Sequence, residues 1–209
     1  MKSYSTLKIP RSSTAGSFNA FIKKHSVFLI MSTTVFALSA FGQDAIEVFR
    51  YDRGAILNYE LWRLITGHLS HLTATHALLN LAGLTIMWSV FSNYLSIKEW
   101  LIVIVTNMLT IDLLFLVLNP GLGWYAGMSG ILHGMFIAGC IVAIKSGGHL
   151  EIALLVGIIL KLLWEQYAGP AQISVELTGG DVITEAHLYG AIGGAIVALF
   201  FALKKVTIS

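Results

Sequence analysis

Apolar residues run along this chain in six long blocks, at about 26–42, 72–92, 97–118, 129–145, 149–168 and 186–203. Polar or glycine-rich joints separate them, a long one at 43–71 and shorter ones such as NPGLGWYAG at 119–127. A half-buried strand alternates apolar and polar positions with a period of two, and none of these blocks alternates. Each is instead close to the roughly 20 mainly apolar residues that a bilayer-crossing helix needs. Only helices and closed barrels satisfy backbone groups in lipid. The pattern therefore predicts an all-α polytopic membrane protein, a single six-helix bundle over 26–205 preceded by a polar tail at 1–25. The first block, SVFLIMSTTVFALSAF, also has a secretory-signal reading, because Ala37-x-Ser39 loosely resembles a cleavage site. The long segment before it favours a retained first helix.

Composition agrees with the pattern. The chain is 56% hydrophobic and only 11% charged, where soluble domains carry about a quarter charged residues. Charge adds an orientation. Lys2, Lys8, Arg11, Lys23, Lys24, Lys98, Lys145, Lys204 and Lys205 all fall at one end of the predicted bundle. Arg50, Arg53 and Arg63 fall at the other, offset by Asp44, Glu47, Asp52, Glu60, Glu176, Asp181 and Glu185. By the positive-inside rule the first end is cytoplasmic, and both termini lie inside. This asymmetry accounts for the net charge of +2 without invoking nucleic acid. A single cysteine, Cys140, cannot form an internal disulfide and reads as core packing.

Ionisable and strongly polar side chains inside spans are costly, so each is a functional candidate. Towards the outer side lie His68, His71, His76, Asn80, Ser129, His133 and His187, and deeper lie Asn107, Asp112, Lys161 and Glu165. His76 and Asn80 are four apart, on one helical face. Ser129 opens the fourth helix after the glycine-rich joint. Gly130-x-x-x-Gly134 and Gly190-x-x-x-Gly194 let two helix backbones approach closely, which would bring His187 to Ser129. A serine hydroxyl needs a base to take its proton and donors to hold the oxyanion. Ser129, His187 and the His76/Asn80 pair supply these roles. The bland alternative is a serine bonded to its own helix and histidines satisfied in a core. Against it, all of these residues fall in one leaflet on three helices. A soluble hydrolase elbow is excluded, because residue 131 is Ile and no strand precedes the serine.

The segments WRLITGHLSHLTATHALLNLAGL, YAGMSGILHGMF, LLWEQYAG and EAHLYGAIGG resemble the rhomboid intramembrane serine proteases, and more narrowly their rhombosortase branch, over about residues 55–200. The resemblance implies a six-helix bundle with a water-filled cavity open to the outer face. It makes Ser129 the nucleophile and His187 its base, with His76 and Asn80 at the oxyanion hole. It also implies no cofactor and no metal. The expected location is the bacterial inner membrane, with the site facing the periplasm. The expected partners are the bilayer and membrane-anchored proteins with a glycine-rich C-terminal tail. One departure stands out, since many rhomboids carry tyrosine where this chain has His133. His133 and His71 are read as cavity-lining, and His133 stays open as a rival base.

Other readings remain beside this one. Asp112, Lys161 and Glu165 suggest a proton-coupled transporter, though no repeated half is visible. A non-catalytic, client-binding rhomboid relative would have lost the serine or histidine, and both are present. His68, His71 and His76 suggest zinc, but no HExxH and no fourth ligand accompany them. Lys161 and Glu165 are spaced as a structural ion pair, and Asn107 and Asp112 are read as interhelical bonds.

Overall fold

The computed structural model describes residues 14–206. Lys2, Lys8, Arg11 and most of the expected tail lie outside the described residues, as do the side chains of Lys204 and Lys205. From Thr14 onwards the expected tail is helical, so the first helix starts a dozen residues before its apolar block.

The elements in order are α1 (Thr14–Ala40), α2 (Gly42–Phe49), β1 (Tyr51–Asp52), α3 (Arg53–Leu57), α4 (Arg63–Thr66), α5 (Ala74–Phe91), α6 (Ile97–Leu118), β2 (Trp124–Tyr125), α7 (Ser129–Lys145), α8 (Leu150–Ala168), α9 (Gln172–Thr178) and α10 (Thr184–Val206). Each of the six apolar blocks is a helix. Four of them, α1, α5, α6 and α10, are long and apolar enough to cross a membrane, while α8 qualifies together with α9 as a pair bent by 89°. The remaining block, α7, has 17 residues. It is the central helix, with Ile131, Met135, Ala138, Cys140 and Ala143 fully buried, so its sides face protein rather than lipid. Many apolar side chains of the outer helices point outward, among them Leu109, Leu113 and Val117 on α6. That is the surface of a protein whose solvent is lipid.

Local chemistry sets the ends of the elements. Ser96 and Glu99 form a reciprocal capping box that starts α6. Thr73 caps α5, accepting from the His76 N–H at 3.1 Å, and its hydroxyl donates to the carbonyl of Thr178, the last residue of α9. The polar connection 42–73 folds into short pieces that are not visible as periodicity. Its strand β1 pairs antiparallel with β2, Tyr51 opposite Tyr125 and Asp52 opposite Trp124.

The three arginines at this end, opposite in sense to the charge rule, lie on that connection and each has a partner. Arg53 donates to the Phe115 and Leu116 carbonyls at the C-terminus of α6. Buried Arg63 binds Glu60 and the Glu47 and Arg50 carbonyls, and Arg50 lies over the Trp124 ring.

Helices α7 and α10 meet backbone to backbone. A Cβ on Gly190 would fall on the Gly130 carbonyl, and one on Gly194 on the Gly134 carbonyl. Asn107 of α6 closes the same junction by donating to the Ile131 carbonyl at 3.3 Å. The bundle thus has a glycine seam at its centre, and that seam aligns the first turns of α7 and α10.

Candidate active site

Ser129 is the first residue of α7, so its backbone N–H has no acceptor within the helix. The approach to it is rigid. Gly127 has φ +140, a conformation that residues with a Cβ rarely adopt, and a side chain there would press on the His76 ring. Its N–H donates to the Gly67 carbonyl at 3.1 Å, and its carbonyl accepts from the Tyr125 hydroxyl at 2.6 Å. Burial holds the Tyr125 phenol well above its ordinary range, against opposing hydrogen bonds from Ser129 and Gly130, so it stays protonated.

Across the glycine seam, His187 on the first turns of α10 is buried and presents Nε2 to Ser129 Oγ at 2.9 Å. The two residues are 58 apart in sequence. Their contact depends on the close passage of α7 and α10 that the paired glycines allow. On its far side, His187 Nδ1 donates to Glu165 Oε2 of α8 at 2.9 Å. The other carboxylate oxygen, Oε1, accepts from Lys161 Nζ at 2.8 Å. Lys161 also donates to His133 Nε2 at 2.7 Å, and His133 Nδ1 donates to the Ser129 carbonyl at 2.7 Å. Five residues from three helices therefore close a hydrogen-bonded ring that begins and ends at Ser129. The spacing of Lys161 and Glu165 shows them as an ion pair, which they are. It does not show that the pair faces the histidines, because spacing within α8 does not say which helix lies beside that face.

Ser129, His187, His133, Lys161 and Glu165 line a cavity of about 450 Å³, and His76 and Asn80 line it from α5. Asn80 spends one N–H on the His76 carbonyl at 3.0 Å, which leaves its second N–H for a ligand. Around this polar group the walls are mainly apolar, including Leu72, Leu79, Leu122 and Ile183, with Gly121 and Gly123 at the joint.

His71 does not line the cavity. It is buried behind His76, ring centroids 4.9 Å apart, and its Nδ1 donates to the Leu69 carbonyl at 3.2 Å. Burial first, and the adjacent His76 second, push its pKa down to about 3, so it is neutral. His68 is likewise interior, with Nε2 3.2 Å from Asp112 Oδ1. These loop histidines carry no helical periodicity that would reveal which way they turn. With His68 bound to Asp112, and Lys161 and Glu165 closed into the ring, the residues that suggested a proton path all have local partners.

His133, Glu165 and His187 bring ligand atoms within 4.8 Å of one another. The Lys161 ammonium already donates to two of the three, so the chain supplies its own cation at that place.

What this group can do chemically follows from its tautomers. His187 donates from Nδ1, which leaves an Nε2 lone pair facing a hydroxyl proton. That is the arrangement of a serine activated by a neighbouring base. The family model described as Rhomboid domain matches residues 58–204, which include α4 to α9 and nearly all of α10. No curated protein matches the chain.

Proposed function

From the premise that the chain belongs to the rhomboid family, whose members are generally intramembrane serine proteases, we propose that it cleaves membrane-anchored proteins with Ser129 as nucleophile and His187 as general base. The observation that carries this reading is the 2.9 Å contact of Ser129 Oγ with His187 Nε2, at the wall of a cavity that Asn80 and His76 share.

In this mechanism Oγ attacks the scissile carbonyl carbon while Nε2 takes the hydroxyl proton. The carbonyl π pair moves onto oxygen, where the Asn80 amide, the His76 ring and the Ser129 N–H are placed to stabilise it. Collapse breaks the C–N bond, and His187 returns the proton to the leaving nitrogen. A water then adds to the acyl-enzyme, giving one proton to the same Nε2, and the ester C–O bond breaks as Nε2 returns that proton to Ser129 Oγ, freeing the carboxyl product and restoring the serine hydroxyl. The cavity must admit that water, and its histidine, lysine and glutamate wall is polar enough to hold it.

The full reading is a rhombosortase-type enzyme of the bacterial inner membrane. Its six helices cross the bilayer, with both termini cytoplasmic and the cavity open to the periplasm. Its substrates carry a glycine-rich C-terminal tail with one membrane helix and a basic end. Supporting this, Lys23 and Lys24 share a cleft with Ser96 and Ile97, at the joint between α5 and α6, while Asp181 stands at the cavity. The cationic end of the bundle is thus remote in sequence and element from the serine end. The experiment is incubation of purified wild type and Ser129→Ala with candidate tail-bearing membrane proteins. Cleavage by wild type alone supports the proposal, and equal cleavage by both refutes it.

A further inference from the structure

The ring around Ser129 contains more than a serine and its base, and the extra members have a cost that demands an explanation. An ionised carboxylate inside a membrane bundle is expensive unless it is paired and hydrogen-bonded. Glu165 is nearly buried, with 10% of its side chain exposed, and both of its oxygens are engaged, one by His187 and one by Lys161. Lys161 reaches it from one turn earlier on the same helix, with its own side chain 42% exposed at the cavity. If the pair served α8 alone, nothing would require its second oxygen to meet His187 Nδ1 from another helix at 2.9 Å.

We propose that Glu165 is the positioning residue of a Ser129–His187–Glu165 triad, with Lys161 and His133 as the brace that aims it. The inference rests on the protease reading of Ser129 and His187.

Three consequences follow from the ring. First, Glu165 accepts only, so it selects the His187 tautomer with hydrogen on Nδ1 and the lone pair on Nε2. Second, when Nε2 takes the Ser129 proton, the positive charge forms against a carboxylate already in place. The proton on Nδ1 stays there, and Glu165 is not itself protonated. Third, the ring removes His133 from competition as a base. Its Nδ1 donates to the Ser129 carbonyl, and its Nε2 lone pair is taken by the Lys161 ammonium. Its remaining role is to hold Lys161 and to cover the His187 ring.

The test uses a fluorophosphonate probe, which reports on Ser129 whether or not a natural substrate is known. The Ser129 oxygen forms a bond to phosphorus, the P–F bond breaks, and His187 takes the proton. Wild type, Glu165→Gln, Lys161→Met and the double variant are purified in detergent. The inactivation rate constant, the probe affinity and the melting temperature are measured for each. In Glu165→Gln the new side-chain amide can donate to Nδ1 and favour the wrong tautomer. The Glu165→Gln inactivation rate should therefore fall by about 10² to 10⁴, the usual worth of a positioned base, with probe affinity unchanged.

The double variant decides between roles. If the pair is only structural, removing both charges restores labelling along with stability. If Glu165 positions His187, the double variant melts near wild type yet labels as slowly as Glu165→Gln. Labelling of Glu165→Gln at a rate close to that of wild type, or recovery in the double variant, overturns the inference. Should Glu165→Gln fail to fold, Glu165→Asp, which keeps the charge but falls one methylene short of Nδ1, must show a reduced rate at unchanged affinity. Wild type that labels at Ser129 while Glu165→Gln matches it refutes the triad alone. Wild type that does not label at Ser129 refutes the protease reading, and the triad with it.

Discussion

The imidazoles of His133 and His187 stack, with centroids 4.1 Å apart and planes 15° from parallel. One is a turn along α7 from Ser129 and the other comes from α10, so the sequence offers either as a base. The hydrogen bonds separate them. His187 aims a ring nitrogen at the serine hydroxyl, whereas His133 reaches only the serine carbonyl and Lys161. The first residue is placed to move a proton, the second to hold a surface against it.

That division gives unequal mutants. His187→Ala should lower kcat by about 10² to 10⁴, and His133→Phe, which keeps the stacked face, by no more than about tenfold. Single-turnover cleavage or probe labelling measures both. The opposite ranking would make His133 the base.

Asn80 and His76 sit on one face of α5, with the N-cap hydroxyl of Thr73 fixing the start of that helix. Asn80→Ala removes one amide donor from the cavity without touching the glycine seam. Loss of an oxyanion donor typically costs on the order of 10² to 10³ in kcat, so turnover should fall by that much with KM and melting temperature nearly unchanged. A variant that melts early but turns over normally in its folded fraction would make Asn80 a packing residue.

Gly194 tests the seam itself. Its missing side chain is where the Gly134 carbonyl passes, and a backbone carbonyl cannot swing aside as a side chain can. Overpacking a core usually costs about 1 to 3 kcal/mol, and Gly194→Val should reach the top of that range and separate His187 from Ser129. Gly157 on α8 has open space around it, so Gly157→Ala is the control that leaves melting and activity intact. Equal melting of the two variants in detergent would deny the seam its role.

Acid should loosen the serine end of the bundle through His71. Its folded pKa is lowered to about 3 by burial first and by His76 second, against 6.5 when unfolded. Below pH 6.5 the unfolded chain therefore binds a proton that the folded chain refuses, and stability drains away as pH falls towards 3. At about pH 5 the loss from this group is about 2 kcal/mol. Melting temperatures at neutral pH and at about pH 5 should differ less in His71→Gln than in wild type, and an unchanged difference would clear His71 of the effect.

The readable and unreadable parts of this chain divide along physical lines. Blocks of apolar residues set the positions of α5, α6, α7 and α8 to within two residues, because span length and end caps such as Ser96 with Glu99 are local properties. The meeting of Ser129 and His187 follows from glycines spaced four apart, again a local sign. Glu165 is different. Its i,i+4 partner is visible, but its contact with His187 depends on which helix packs beside that face of α8, a tertiary relation that spacing within α8 does not give. His68 and His71 turned inward for a similar reason, since an irregular loop hides its directions until β1 and β2 pair. The sign that pointed to Glu165 was energetic, a buried charge in a span that a simple ion pair does not need.

What enters the cavity is limited by where Ser129 lies. Ser129 lies at the head of α7, within a cavity whose walls are mainly apolar and whose joint is lined by Gly121 and Gly123. A substrate helix in lipid hides its carbonyls in its own hydrogen bonds, so its scissile stretch must unwind before Oγ can reach it. Glycine eases this, being roughly 1 kcal/mol worse than alanine in a helix interior. A few glycines beside the cleavage point therefore lower the unwinding cost by a few kcal/mol. A basic end beyond the substrate helix would orient it with that end inside, bringing the glycines to the serine face. A reporter carrying such a tail should be released when co-expressed with the enzyme. Replacing its glycines with leucine should slow release by about 10-fold or more per pair, while Ser129→Ala abolishes it. Release indifferent to the leucines would remove the glycine-tail specificity and leave a rhomboid protease of broader choice. Cleavage mapped to the basic side of the substrate helix would reverse the orientation inferred from the lysines.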